Sequence, residues 1–165
     1  MKLFLIVLAA ALGVMAIYFG ISELIVTDEE RIESLVERVC NMIANEDLAG
    51  CMTFVGDDFT YQPKGVNKAR LASLAQGIFA RADKLEVTVS ELRIEVDGDK
   101  ATVFLRFRLL GEYVGRMDRF VGQRGFILGK PLKAARATLH LDKRRTAEGE
   151  ALWVLYRVTD FDPGN

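Results

Sequence analysis

The feature that most constrains this chain is its first hydrophobic run, Leu3 to Val26, with the sequence LFLIVLAAALGVMAIYFGISELIV. The run contains no Lys or Arg, and its one acid, Glu23, lies near its end. A helix of about 20 apolar residues crosses the hydrocarbon core of a bilayer. The run therefore predicts a single transmembrane helix, with residues 1–26 as the anchor and residues 27–165 as one following domain.

A cleaved signal peptide and a buried core helix are the alternatives to an anchor. A secretory signal has an apolar stretch of about 7–15 residues and ends in small residues at its cleavage site. This apolar stretch is longer, and the bulky Ile17, Tyr18 and Phe19 follow Ala16 where such a site would be expected. The sequence therefore favours an uncleaved anchor that holds the protein on the membrane through residues 3–26.

The charges on either side of the run predict its orientation. Lys2 precedes the run, whereas Glu23 and the acids at 28–30 come at its end and beyond it. The positive-inside tendency then leaves the N-terminus in the cytoplasm and places the domain in the periplasm or outside the cell. The net charge of −1 provides no general attraction to nucleic acid, so no nucleic-acid partner is expected.

The first half of the domain has the pattern of helices. Thr27 and the acids after it form a typical helix start. Apolar residues then recur three and four positions apart, as on one face of a helix: Ile32, Leu35, Val36, Val39 and Ile43. We expect this helix to end near Asn45 and a short second helix to run from Asp47 to Gly56. The segment FTYQ predicts a short strand, and Asn67 is expected to begin a third helix.

Cys40 and Cys51 are the only cysteines, and they fall on either side of the predicted bend between the first two helices. In an oxidising compartment such a helix hairpin allows the two side chains to form a disulfide. The alternative is that both are buried thiols that act as small apolar residues.

From Lys84 onward the apolar period changes to two, as expected for strands. The apolar phase shifts between Val89 and Leu92, which predicts a β-bulge. Turns are expected at 97–99 and at 147–149, and the pattern predicts four long antiparallel strands. Helices followed by an antiparallel meander indicate an α+β fold with the helices on one face of the sheet.

Several segments resemble the nuclear transport factor 2-like superfamily, which includes ketosteroid isomerases and polyketide cyclases. They are DEERIESLVERVCNMIANED, DDFTY, GDKATVFLRF, ATLHLDKRR and ALWVLYRV, within residues 28–162. In the last segment Trp153 takes the place of a tryptophan common in the family. The resemblance implies a cone-shaped α+β fold, in which N-terminal helices lie on a curved antiparallel sheet and enclose a conical pocket.

Isomerase-like members of that superfamily place an acid or a His–Asp pair in the cone. Here the strand alternation puts His140 and Asp142 on the polar face, opposite Leu139 and Leu141. Asp58 lies in an Asp-Asp pair before a strand, a position typical of turns. These three are therefore weak catalytic candidates. The spacing of His and Cys matches no metal site, and no phosphate-binding loop is found, so neither metal nor cofactor is expected.

The ligand-binding candidates are Tyr61, Phe107 and Arg157. By resemblance, Arg157 falls where pocket-forming members often carry a polar side chain; the alternative is a surface arginine. Further arginines occupy the polar side of the strands at 93, 106, 108 and 136. They form either a solvated face or a face for homodimerisation, as in relatives.

The stretch 111–133 is long for a hairpin and mixes glycines with aromatic and basic residues. It is expected to cover the pocket mouth, contact lipid headgroups or dock a partner, or to be two strand extensions with a flexible tip.

The preferred interpretation is a membrane-anchored, exported, non-catalytic domain that binds a small apolar ligand or a protein partner. A structural part of an envelope or secretion assembly is one alternative, since type IV secretion assembly factors look similar in plan. An isomerase- or cyclase-like enzyme acting in the cone is the other.

Overall fold

The computed structural model describes residues 26–114, 122–146 and 149–164. Three predicted features fall partly or almost wholly outside these residues. They are the anchor up to position 25, the tip of the 111–133 stretch and most of the turn at 147–149. Within the described ranges, no helix combines the length and the apolar character needed to cross a membrane.

Three helices occupy the first half of the domain. They are α1 (Asp28–Ala44), α2 (Leu48–Thr53) and α3 (Lys68–Phe79). Each begins at a side-chain cap: Thr27 accepts a hydrogen bond from the backbone N–H of Glu30, and Asp47 and Asn67 do the same for α2 and α3. The Glu30 carboxylate in turn accepts from the Thr27 backbone N–H, completing a capping box. The predicted helix starts are confirmed, and α1 ends at Ala44 with Asn45 as its C-cap, close to the expected end near Asn45.

Seven strands are found among the described residues, and they form one curved, mixed sheet. The strands are β1 (Val55–Tyr61), β2 (Val66–Asn67), β3 (Ala82–Asp97), β4 (Lys100–Tyr113), β5 (Arg124–Leu128), β6 (Ala135–Arg145) and β7 (Ala151–Asp162). Their order is β2-β1-β7-β6-β4-β3, and β5 pairs with β4. The four long strands pair antiparallel as predicted, whereas β1 runs parallel to β7.

The long strand β4 changes partner along its length. Its first half, Lys100 to Phe107, pairs with β6, whereas Leu109 to Glu112 pairs with β5. The predicted bulge in β3 is confirmed by a register shift between Val89 and Glu91. Bulges bend a sheet, and this curvature lets α1 lie across its inner face.

The main core lies between α1 and the inner face of the sheet. Ile32 and Val103 are fully buried there, and Leu35, Leu141 and Trp153 pack around them. Two further apolar clusters lie beneath α2 and α3, one around Phe59 and one around Leu85 and Leu109. Below, "inner face" means the sheet face covered by α1, and "outer face" means the opposite one.

Two expectations about local structure were wrong. Val55 and Gly56 do not end the second helix; they begin β1, because Val55 pairs with Leu155 of β7. Asp58 does not precede the strand at a turn; it lies within β1. Among the alternatives for the stretch 111–133, the structure agrees with two strand extensions, since β4 continues to Tyr113 and β5 pairs with it.

Candidate functional site

His140 lies on the outer face of β6, where strand alternation predicted it. Opposite His140, a bulge in β7 places both Tyr156 and Arg157 on this face: Arg157 is its register partner and the Tyr156 ring lies 6.3 Å away. The His140 Nε2 atom lies 3.0 Å from the Thr159 hydroxyl. Partial burial lowers the pKa of His140, and the positive charge of Arg157 lowers it further. His140 therefore lies on the outer face and is uncharged at neutral pH.

Asp142 and Asp58 are held by one arginine. The Nη2 atom of Arg144 donates to both carboxylate oxygens of Asp58, at 2.7 and 2.9 Å, and lies 3.5 Å from Asp142 Oδ2. The hydrogen bond from Arg144 lowers the pKa of Asp58, so this carboxyl stays ionised. Asp142 thus contacts Arg144 while His140 contacts Thr159, and the His140–Asp142 pair expected of a general base is not assembled.

The three ligand-binding candidates lie in two different places. Arg157 is exposed beside His140 on the outer face, so any ligand that it contacts would bind there and not inside the cone. Phe107 continues the inner-face row of Ala101, Val103 and Leu105 along β4 and is half-buried. Tyr61 packs in the Phe59 cluster, with the Phe161 ring edge-on to it at 6.3 Å.

A shallow cavity of about 670 Å³ lies on the sheet where β3, β4, β6 and β7 adjoin; we call its surroundings the outer-face patch. The polar residues of the patch are Glu91, Arg93, Arg106, Arg136, Thr138, Asp160 and Asp162, and Phe104 adds an aromatic ring. Two of its arginines pair with nearby acids. Arg106 Nη1 lies 3.2 Å from Glu91 Oε2, and Arg136 Nε lies 3.6 Å from Asp162 Oδ2. The Arg93 guanidinium stacks over the Phe104 ring at 4.5 Å. The surface is therefore both charged and aromatic.

A second cavity, of about 530 Å³, lies between α1 and β3; we call it the α1–β3 groove. Val36, Val87 and Val89 supply apolar surface, and Glu33, Glu37 and Glu91 supply carboxylates. No Lys or Arg lines this groove among the described residues.

Solved structures provide the fold assignment. No protein-family model matches the chain, and no curated protein matches it. A nuclear transport factor 2-like superfamily protein from Salmonella enterica matches with a TM-score of 0.61 at 14% identity, over 82% of this chain and 90% of that one. This domain has the nuclear transport factor 2-like fold. A protein of unknown function with a cystatin-like fold from Nostoc punctiforme matches with a TM-score of 0.55 at 19% identity, over 84% of this chain and 95% of that one.

Bdellovibrio bacteriovorus Bd1075 matches with a TM-score of 0.58 at 16% identity, over 84% of this chain. The chain spans only 44% of the length of Bd1075. At these identities the likeness to solved structures establishes the nuclear transport factor 2-like fold and nothing about activity.

The two cysteines of the nuclear transport factor 2-like domain lie on α1 and α2 and are free thiols in the structure. Burial raises the pKa of both Cys40 and Cys51, and the carboxylates of Glu37 and Asp47 add to this effect. Both thiols are therefore protonated at neutral pH. Across the described ranges, no cluster of three or more His, Cys, Asp or Glu side chains is arranged to hold a metal ion.

Sequence reasoning missed the α1–β3 groove and the aromatic part of the outer-face patch. Glu33 and Glu37 fit the solvent side of an amphipathic helix, so only the approach of β3 reveals them as a groove wall. Phe104 could have indicated the outer-face patch from the sequence, because it is an aromatic residue on the polar side of a strand, between Val103 and Leu105.

Proposed function

We propose that this chain is a membrane-anchored, exported binding domain without catalytic activity, which engages a protein partner through its outer-face patch. The observation that carries the proposal is the position of the candidate catalytic groups. His140, Asp142 and Asp58 contact Thr159 or Arg144, away from the inner face. Thr138 is the one polar residue that is buried as a whole among the described residues, and a hydroxyl is a poor general base. Asp142 Oδ1 is also buried and makes no hydrogen bond, but it belongs to the carboxylate that Arg144 contacts on the outer face.

The composition of the outer-face patch supports a protein partner. Aromatic residues and arginines are enriched at the energetic centres of protein interfaces, and Phe104, Arg93 and Arg106 combine both in one place. The patch also carries arginines and carboxylates side by side. A second copy related by a two-fold axis can therefore set the arginines of each subunit against the acids of the other. A homodimer is the partner that we test first.

The test is the oligomeric state of the full chain purified in mild detergent. We expect a dimer for the wild type and monomer for the double variant Arg106→Glu, Arg136→Glu, because like charges then face each other across the interface. Arg70→Glu, Arg81→Glu is the matched control, since it makes the same charge change at two exposed arginines outside the patch. A wild type that is monomeric, or dimers that survive the patch variant, would contradict the proposal.

A small apolar ligand in the cone is the second candidate. The observation in its favour is Phe107, which continues the inner-face row of β4 but is only half-buried by the described residues. A structural role in an envelope assembly remains compatible with the outer-face patch, because such an assembly also requires a protein contact.

A further inference from the structure

Strand β3 forms one end of the sheet, and in the described part of the chain β4 is its single strand partner. It is 16 residues long. The free side of such an edge strand presents N–H and C=O groups that can pair with another chain. Register shifts between Asp83 and Glu86 and at Ser90 interrupt this edge, and its two longer stretches of regular register are Glu86–Val89 and Glu91–Asp97.

The α1–β3 groove runs beside this edge. The α1 residues that line it are spaced as one stripe of a helix, at positions 33, 36, 37, 40 and 41. They face β3 positions 87 and 89–92, so the groove follows the strand across its bulge. The groove is thus an elongated channel with a strand edge along one side, a shape that fits an extended segment of polypeptide.

The charges of the groove are all of one sign. Glu33 and Glu37 make no ion pair with any described residue, whereas Glu91 lies 3.2 Å from Arg106. Apolar surface from Val36, Val87 and Val89 lies between these carboxylates. A bound segment whose basic residues face α1 gains attraction from the acids, and the aliphatic stems of those residues can pack against the valines.

We propose that the α1–β3 groove binds an extended polypeptide segment of alternating apolar and basic residues, which adds to the free edge of β3 as a further strand. Main-chain hydrogen bonds to the edge provide affinity, and alternate side chains provide specificity. A second copy of this chain is a poor occupant, because a two-fold contact at this groove would set Glu33 and Glu37 against the same residues of the other subunit. The inference concerns a surface that shares only Glu91 with the outer-face patch, and it does not rest on the proposed function.

The experiment measures the fluorescence anisotropy of labelled synthetic peptides with the full chain in mild detergent. A peptide of alternating valine and lysine is expected to bind, and one of alternating valine and glutamate is not. The Val–Lys peptide methylated on every backbone nitrogen is expected to bind much more weakly, because neither of its edges then has an N–H group to donate to the strand edge. Equal binding of the methylated peptide would show that the edge takes no part, and would overturn strand addition.

Protein variants test the acidic wall. Glu33→Lys, Glu37→Lys is expected to weaken binding of the Val–Lys peptide by about tenfold, because two attractive contacts become repulsive. The matched control, Asp57→Lys, Glu150→Lys, makes the same charge change at exposed acids outside the groove, and should bind like the wild type. Circular dichroism and the urea midpoint verify that each variant is folded.

Equal weakening in both double variants would mean a general charge effect, and would overturn the proposal. Self-association of the chain that the Val–Lys peptide disrupts would show that a second copy occupies the groove, and would also overturn it.

Discussion

At the scale of single residues, His140 gives the fold a pH dependence of defined sign. Partial burial holds the pKa of His140 in the folded chain below its ordinary value. The unfolded chain therefore binds the proton more tightly, and the free energy of unfolding falls as the pH drops below about 6.5. His140 is the chain's single histidine, so no other imidazole contributes in this range.

We expect the urea midpoint of the wild type to be lower near pH 5.5 than near pH 7.5. The difference between the two midpoints should be much smaller for His140→Gln. Urea unfolding followed by circular dichroism measures both. Asp28, Asp58 and Asp162 have lowered pKa values, so their stabilisation is lost only in more acidic solution, below about pH 4. An equal drop in the variant would show that His140 is not the responsible group.

At the scale of elements, Gly111 illustrates how closely β3, β4 and β5 pack. A Cβ atom at this position would lie 2.7 Å from Ile127 Cδ1, 2.8 Å from Leu85 Cδ2 and 3.2 Å from Ala82 Cβ. Gly111→Ala is therefore expected to lower the free energy of unfolding by about 1–3 kcal/mol, the usual cost of overpacking a core.

Gly77 in α3 is the matched control, because a Cβ atom there meets nothing within 4 Å. Gly77→Ala should raise the free energy of unfolding by up to about 1 kcal/mol through helix propensity. Urea unfolding of both variants measures the two changes. A neutral Gly111→Ala would mean that the ends of the Ile127 and Leu85 side chains move aside without cost.

The elements also show what a sequence can predict. Thr27, Asp47 and Asn67 were predicted as helix starts because a cap acts on a backbone N–H only three residues away. Val55 was assigned to a helix, but it is in a strand because it pairs with Leu155, a residue near the far end of the chain. Non-local pairing overrides a weak local preference.

The same distinction applies to the candidate site. The outer-face position of His140 follows from alternation along one strand, which is local information. The Asp58–Arg144 pair joins β1 to β6, and the α1–β3 groove joins a helix to a strand about fifty positions later. Contacts between such distant segments leave no pattern in a single sequence, so neither was predicted.

At the scale of the whole molecule, the hydrophobic run before the domain should determine where the protein is found. We expect the full chain to fractionate with membranes and to resist extraction by alkaline carbonate, because about 20 apolar residues in a helix span a bilayer. Western blotting of the pellet and supernatant fractions provides the measurement. A soluble mature form that begins after about residue 20 would instead identify a cleaved signal peptide.

The oxidation state of the two cysteines depends on the compartment that holds the domain. They lie on α1 and α2, consecutive helices separated by residues 45–47, and each is a free thiol in the structure. If the domain is exported, an oxidising compartment favours a Cys40–Cys51 bond. Closing so short a loop is expected to stabilise the fold by about 2–3 kcal/mol on the chain-entropy model.

The measurement is thiol labelling of protein that is trapped with acid in the cells and then unfolded. In the exported orientation we expect no labelling before reduction and two labelled thiols after it, and Cys51→Ser should leave one thiol that labels without reductant. Reductant should also lower the urea midpoint of the wild type but not that of Cys51→Ser, because the variant has no bond to lose. Two free thiols in the trapped wild type would contradict the disulfide. They would also weaken the case for export, since an oxidising compartment is the condition that favours the bond.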